Sequence, residues 1–214
     1  NCTALLLGHS GNSAKKSLSY AGAAAAPGLK AQSGVAWQKA AFSDVRADSL
    51  YWDDVVFAAR KGWLKGVSAS AFSPDGTLTR AMFVTALWRL AGKPAASGEL
   101  PFADVASGSW YRAAVLWAYQ KGIASGTSKT AFSPDAAVTV AEAAIFLARY
   151  SGGSGEASAL PDYASGPQWS LSALSWAYGE GLFDASAAAL ADAARPASRA
   201  LLARLLRAYS ASRS

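Results

Sequence analysis

Residues 71–82 read AFSPDGTLTRAM and residues 131–142 read AFSPDAAVTVAE: the same turn and the same helix start, 60 residues apart. An internal repeat of this kind decides the architecture before any single element is assigned. At the same offset, Phe42, Asp44, Val45 and Tyr51 match Phe102, Asp104, Val105 and Tyr111. Lys61, Gly62 and Gly66 match Lys121, Gly122 and Gly126, and further on Arg89 and Gly92 match Arg149 and Gly152, all without a gap. A third copy follows at an offset of 58 to 59, where Asp162, Trp169, Trp176, Ala177, Tyr178, Gly181 and Tyr209 match Asp104, Trp110, Trp117, Ala118, Tyr119, Gly122 and Tyr150. That copy is degenerate: Ala185 stands where Gly66 and Gly126 stand, and the Phe-Ser-Pro-Asp turn is absent.

Each copy reads as two helices. The first is expected over about 51–61, 110–121 and 169–180, ending at a glycine suited to a left-handed helix stop. Val115, Ala118 and Tyr119 then form one apolar face. Phe-Ser-Pro-Asp is a turn, since Pro fixes φ and Asp bonds nearby backbone. The second helix is expected to start at Thr79, Thr139 and Ser198, all good N-cap types, with Thr139 and Glu142 spaced as a capping box. Asp44, Asp104 and Asp162 are expected to bond backbone groups in the turn before the first helix. Two helices of this length cannot bury both apolar faces alone, so the copies must pack on one another. With three copies and no polar capping repeats, closure into a bundle is expected rather than an open solenoid. The fold class is therefore all-α. The copies span 42–100, 101–160 and 161–209, with a tail at 210–214, and 1–41 is read as a linker or the remnant of an upstream region.

Composition narrows the chemistry. The chain of 214 residues is 52% hydrophobic and only 16% charged, yet no run is long enough for a membrane-spanning helix. One cysteine, Cys2, excludes an internal disulfide framework and a Cys-based zinc cage. One histidine, His9, excludes paired-His zinc chemistry and limits any Ser-His-Asp triad to a residue without patterned surroundings. The formal charge of +6 is concentrated in residues 1–41, which hold four lysines and no acidic residue. The repeats themselves are close to neutral, which argues against a diffuse nucleic-acid-binding face. Acidic residues are sparse and recur at turns, so the carboxylate pair of a glycoside hydrolase, about 5 to 9.5 Å apart, is not in view. Any catalytic domain is expected upstream of Asn1.

The order Phe-x-Asp-Val, then an aromatic, then a helix ending in Gly-x-x-x-Gly, then Phe-x-Pro, then Thr-Arg-Ala and a helix closing on Arg resembles the S-layer homology (SLH) family. Phe42–Gly92, Phe102–Gly152 and about Leu160–Tyr209 each resemble one motif. The resemblance implies a three-pronged, pseudo-three-fold helical domain that anchors surface proteins non-covalently to the cell wall. It implies as ligand a secondary cell wall polysaccharide attached to peptidoglycan, commonly carrying pyruvylated N-acetylmannosamine, held in grooves between adjacent motifs. It further implies a location on the bacterial cell surface, with surface-layer or other surface proteins as neighbours, and neither catalysis nor a cofactor.

The family's Thr-Arg-Ala-Glu motif carries the Arg associated with the acidic sugar. This chain has Thr79-Arg80-Ala81-Met82, Thr139-Val140-Ala141-Glu142 and Ser198-Arg199-Ala200-Leu201. Two arginines match, and the groove using Val140 is expected to be weak or silent. Chemistry agrees: a helix N-terminus with free N–H groups favours an anion, and a guanidinium fork matches a carboxylate. The plainer alternative is a solvated Arg or one paired with an Asp. Thr79, Ser198, Arg80 and Arg199 are thus binding candidates, together with Gly66 and Gly126, whose backbone approaches a ligand or merely turns. Trp110 and Trp169 are candidates for stacking on sugar, although Leu50 at the equivalent position favours the core. Trp117 and Trp176 are expected in the core, and capping explains Glu142.

Overall fold

The computed structural model describes residues 42–155, 160–162, 164–183 and 188–213. Cys2, His9, Ala185 and the expected linker at 1–41 lie outside them. The described residues are helical: α1 (Trp52–Arg60), α2 (Arg80–Leu90), α3 (Arg112–Gln120), α4 (Val140–Ser151), α5 (Leu171–Gly179), a short α6 (Ala188–Ala191) and α7 (Arg199–Ser212). α5 is preceded by one 3-10 turn, Gln168–Ser170.

The first helices α1, α3 and α5 stop for one reason. Gly62, Gly122 and Gly181 take φ of 71°, 67° and 69°. Their N–H groups, and those of Trp63, Ile123 and Leu182 after them, reach back to the last-turn carbonyls. This is the Schellman arrangement, which a side chain on the left-handed residue would strain.

The Phe-Ser-Pro-Asp turns are clipped from a distance. The Asp44 carboxylate accepts from the N–H groups of Phe72 and Ser73 at 2.8 and 2.7 Å, and Asp104 does the same with Phe132 and Ser133. The expected local turn bond is replaced by one that spans 28 or 29 residues, because the start of each copy folds back over its own turn. The bond to the Phe72 N–H holds the Asp44 carboxyl below its ordinary value. Asp162 is exposed, and in the third copy backbone does the tying: Ser165 N–H donates to Leu190 O, and Ala193 N–H donates to Ser165 O.

Thr79, Thr139 and Ser198 cap α2, α4 and α7, each accepting from the N–H three residues on, and Thr139 with Glu142 completes the capping box. The segments before these caps meet at the centre. Leu78 N–H donates to Ala197 O, Ala197 N–H to Val138 O, and Val138 N–H to Leu78 O, at 3.2, 2.7 and 2.8 Å. Three backbone bonds thus close a ring through all three copies, and the side chains on it are buried.

Helix packing follows the same cyclic order: α3 lies on α2, α5 on α4, and α1 on α7. These large pairings run between copies, so each first helix buries its apolar face on the second helix of another copy. The centre is apolar, with Phe83, Leu87, Leu147, Leu202, Leu205 and Leu206 fully buried. Arg207 on α7 donates to Asp54 on α1 at 3.0 Å, tying the two ends of the repeat region together. Burial pushes the Asp54 carboxyl up, against the pull of Arg207.

Candidate functional site

The helix starts do not offer free N–H groups. Arg80 and Ala81 N–H donate to Ala136 O and Pro134 O, Val140 and Ala141 N–H to Arg195 O and Ala193 O, and Arg199 and Ala200 N–H to Gly76 O and Pro74 O. Each helix therefore has its first two N–H groups satisfied by another copy's turn and its third by its own cap. The expected anion site at the bare helix end is overturned: little of the positive end is left for a ligand. In the third copy Ala193 and Arg195 supply these carbonyls although the Phe-Ser-Pro-Asp sequence is gone.

Arg80 and Arg199 are neither solvated nor paired with an Asp. Each is only 5% exposed. Arg80 donates from Nε to Phe132 O at 3.0 Å and from Nη2 to Ser125 O at 2.7 Å, and its Nη1 lies 3.5 Å from Glu142 Oε1. The guanidinium stacks over the rings of Phe132 and Phe146. Arg199 repeats the pattern: Nε to Phe72 O at 2.8 Å, Nη2 to Lys65 O at 2.6 Å, and stacking over Phe72. In place of Glu142 it finds Met82, whose Sδ is 3.9 Å from Nη1. Burial lowers the pKa of both guanidinium groups from an ordinary value so high that both keep their charge. Both arginines lock a loop of one copy onto a helix of another.

Around Arg80 the copies enclose an open groove of about 230 Å³ lined by Arg80, Ser125, Gly126, Thr127, Glu142, Ile145, Phe146, Arg149 and Trp169. Three of the sequence candidates, Arg80, Gly126 and Trp169, come together here, each from a different copy. The caps Thr79 and Ser198 serve helix starts and do not line this groove. Trp169 is 62% exposed, Trp110 61% and Leu50 95%. The core assignment for Trp110 and Trp169 is therefore wrong: they sit at the entrance to their first helices with most of the residue exposed. Trp117 and Trp176 are buried as expected.

Gly126 has a packing reason as well as a place in the groove. A Cβ there would come within 2.5 Å of the Phe102 ring and into the carbonyls of Ser128 and Ala131, and Gly66 is crowded in the same way by Phe42, Ser68 and Ala71. Glu142 does more than cap: one oxygen serves the Thr139 N–H at 2.9 Å while the other faces Arg80. Arg149 was missed as a site residue, although the pattern Glu142, Ile145, Phe146, Arg149 is the i, i+3, i+4, i+7 face of one helix. Among the described residues no cluster of His, Cys, Asp and Glu is suited to a metal, and no helix is long and apolar enough to cross a membrane.

Comparison with known proteins adds the family. Residues 101–144 match the S-layer homology domain. The chain is 32% identical over 108 residues to an endoglucanase of Bacillus sp. (strain KSM-635), a match covering 50% of this chain and 11% of that protein. It is 32% identical over 129 residues to the surface-layer 125 kDa protein of Lysinibacillus sphaericus, covering 59% and 11%, and 29% identical over 113 residues to a cell surface protein of Thermoanaerobacter kivui, covering 50% and 15%. The chain thus spans only a small part of the curated relatives it matches. Residues 101–144 are an S-layer homology domain, and this match, with relatives named for the surface layer and the cell surface, points to the cell surface and cell wall as the place of action.

Proposed function

We propose that this chain is a non-catalytic wall anchor that binds an anionic, pyruvylated secondary cell wall polysaccharide in grooves between adjacent SLH motifs. The observation that carries the reading is the groove around Arg80, built from one residue set in each of three copies and flanked by an exposed tryptophan. An aromatic face and a positive group at one opening suit a sugar ring bearing a carboxylate. The reading takes 42–100, 101–160 and 161–209 as three motifs in a pseudo-three-fold, three-pronged bundle; the closed ring of backbone bonds and the cyclic helix packing support it. A second groove would use Arg199, Gly66 and Trp110. The third would use Val140, fully buried and without a cation, and is expected to be silent.

A second reading has the chain as the anchoring part of a larger surface enzyme. It is favoured by relatives named endoglucanase and amylopullulanase, of which this chain matches 11% and 6% of the length. Both readings assign the same task to these residues, with surface-layer or other surface proteins as neighbours. The test is co-sedimentation with isolated wall sacculi, before and after extraction of the polysaccharide and after mild acid removal of its ketal-linked pyruvate. Retention is expected on intact walls and lost in both treated samples. Equal retention on extracted walls would defeat the proposal.

A further inference from the structure

We infer that Arg149, acting with the Trp169 indole of the same groove, is the residue that reads the ligand's negative charge, whereas Arg80 is framework. The inference rests on the proposed glycan-binding reading and assigns the work within that groove. Arg80 is committed: two carbonyls, a carboxylate and two aromatic rings surround its guanidinium. An incoming carboxylate would have to displace Glu142 or share Nη1 with it, and Glu142 cancels most of the charge Arg80 presents.

Arg149 differs on each count. It lines the same groove, two turns along α4 from Glu142 and one from Ile145 and Phe146. It is exposed, and among the described residues it makes no ion pair or hydrogen bond. With Arg80 and Glu142 offsetting each other, Arg149 supplies the groove's net positive charge. Trp169, contributed by the third copy, lines the same opening and is largely exposed. A single sugar ring resting on Trp169 would carry a carboxylate substituent toward Arg149, with the Gly126 and Thr127 backbone beneath.

The test reads this groove alone. The full chain is labelled with nitrogen-15, and the Trp169 indole N–H signal, assigned through Trp169→Phe, is followed during titration with two polysaccharide fragments. One fragment carries the pyruvate ketal, and the other is the same fragment after acid removal of it. Arg149→Gln is expected to weaken binding of the charged fragment by about tenfold, the scale of one charge-assisted bond. Binding of the ketal-free fragment and the thermal midpoint should stay as in the parent chain. Unchanged affinity for the charged fragment, or equal losses for both, overturns the inference while the parent chain's preference for the charged fragment keeps the proposed function standing. A parent chain that binds neither fragment, or both equally, overturns the proposed function and the inference with it.

Discussion

Arg80 and Arg199 each bury a permanently charged group and hold it on two backbone carbonyls, with the Glu142 carboxylate added beside Arg80. Such a group holds two loops where a neutral donor would hold one, because the guanidinium fork reaches two acceptors in fixed directions. Removing it leaves the carbonyls of Phe132 and Ser125 without their donor, the first of them on a fully buried residue. Arg80→Ala is therefore expected to destabilise the fold by about 3 kcal/mol, read as a lowered urea midpoint. Weakened wall binding in that variant would accompany lost structure. This changes the reading the motif invites: Thr-Arg-Ala marks the arginine correctly, but position in a motif does not tell whether its donors face a ligand or a neighbouring loop.

At the scale of elements, the second helices are held at their starts by two devices, a hydroxyl cap within the copy and a pair of carbonyls from another. The hydroxyl device can be tested alone. Thr139→Ala is expected to cost about 1 kcal/mol, measured by chemical denaturation, and the Glu142 side chain still bonds the residue 139 N–H. Caps, glycine stops and helix ranges were legible in sequence, since each is written in residues a few positions apart. The Asp44 and Asp104 clips were half legible: the carboxylate's taste for backbone N–H was readable, but its partner 28 residues away was not. The carbonyls that occupy the helix starts come from Pro74 and Gly76, Pro134 and Ala136, and Ala193 and Arg195, and nothing local announces that turns of one copy end on helices of another. Trp110 and Trp169 misled for a related reason. A Leu in the matching position suggests burial, yet Leu50 is itself almost fully exposed, so the comparison carried no information about the core.

For the molecule as a whole, the ends of the repeat region are joined by α1 on α7 and by Asp54 with Arg207. Asp54 has a raised folded pKa because burial outweighs the pull of Arg207, so its protonated form is already favoured by folding. Arg207→Ala removes the nearest counter-charge and raises that pKa further. The expected loss is about 2 kcal/mol at neutral pH. It should shrink as pH falls through the raised folded value toward the unfolded value near 3.9, since a neutral carboxyl needs no cation. Urea midpoints of parent and variant at neutral and acidic pH check the sign: a gap that widens on acidification would contradict it.

The ring through Leu78, Val138 and Ala197 has a consequence for unfolding. Its last member is supplied near the end of the chain, and every first helix needs a partner from another copy. No single copy therefore buries its own first helix. Anything cut short before α7 lacks both the last link and the surface on which α1 rests. The three copies are therefore expected to unfold as one unit, read as a single urea transition shared by probes in each copy.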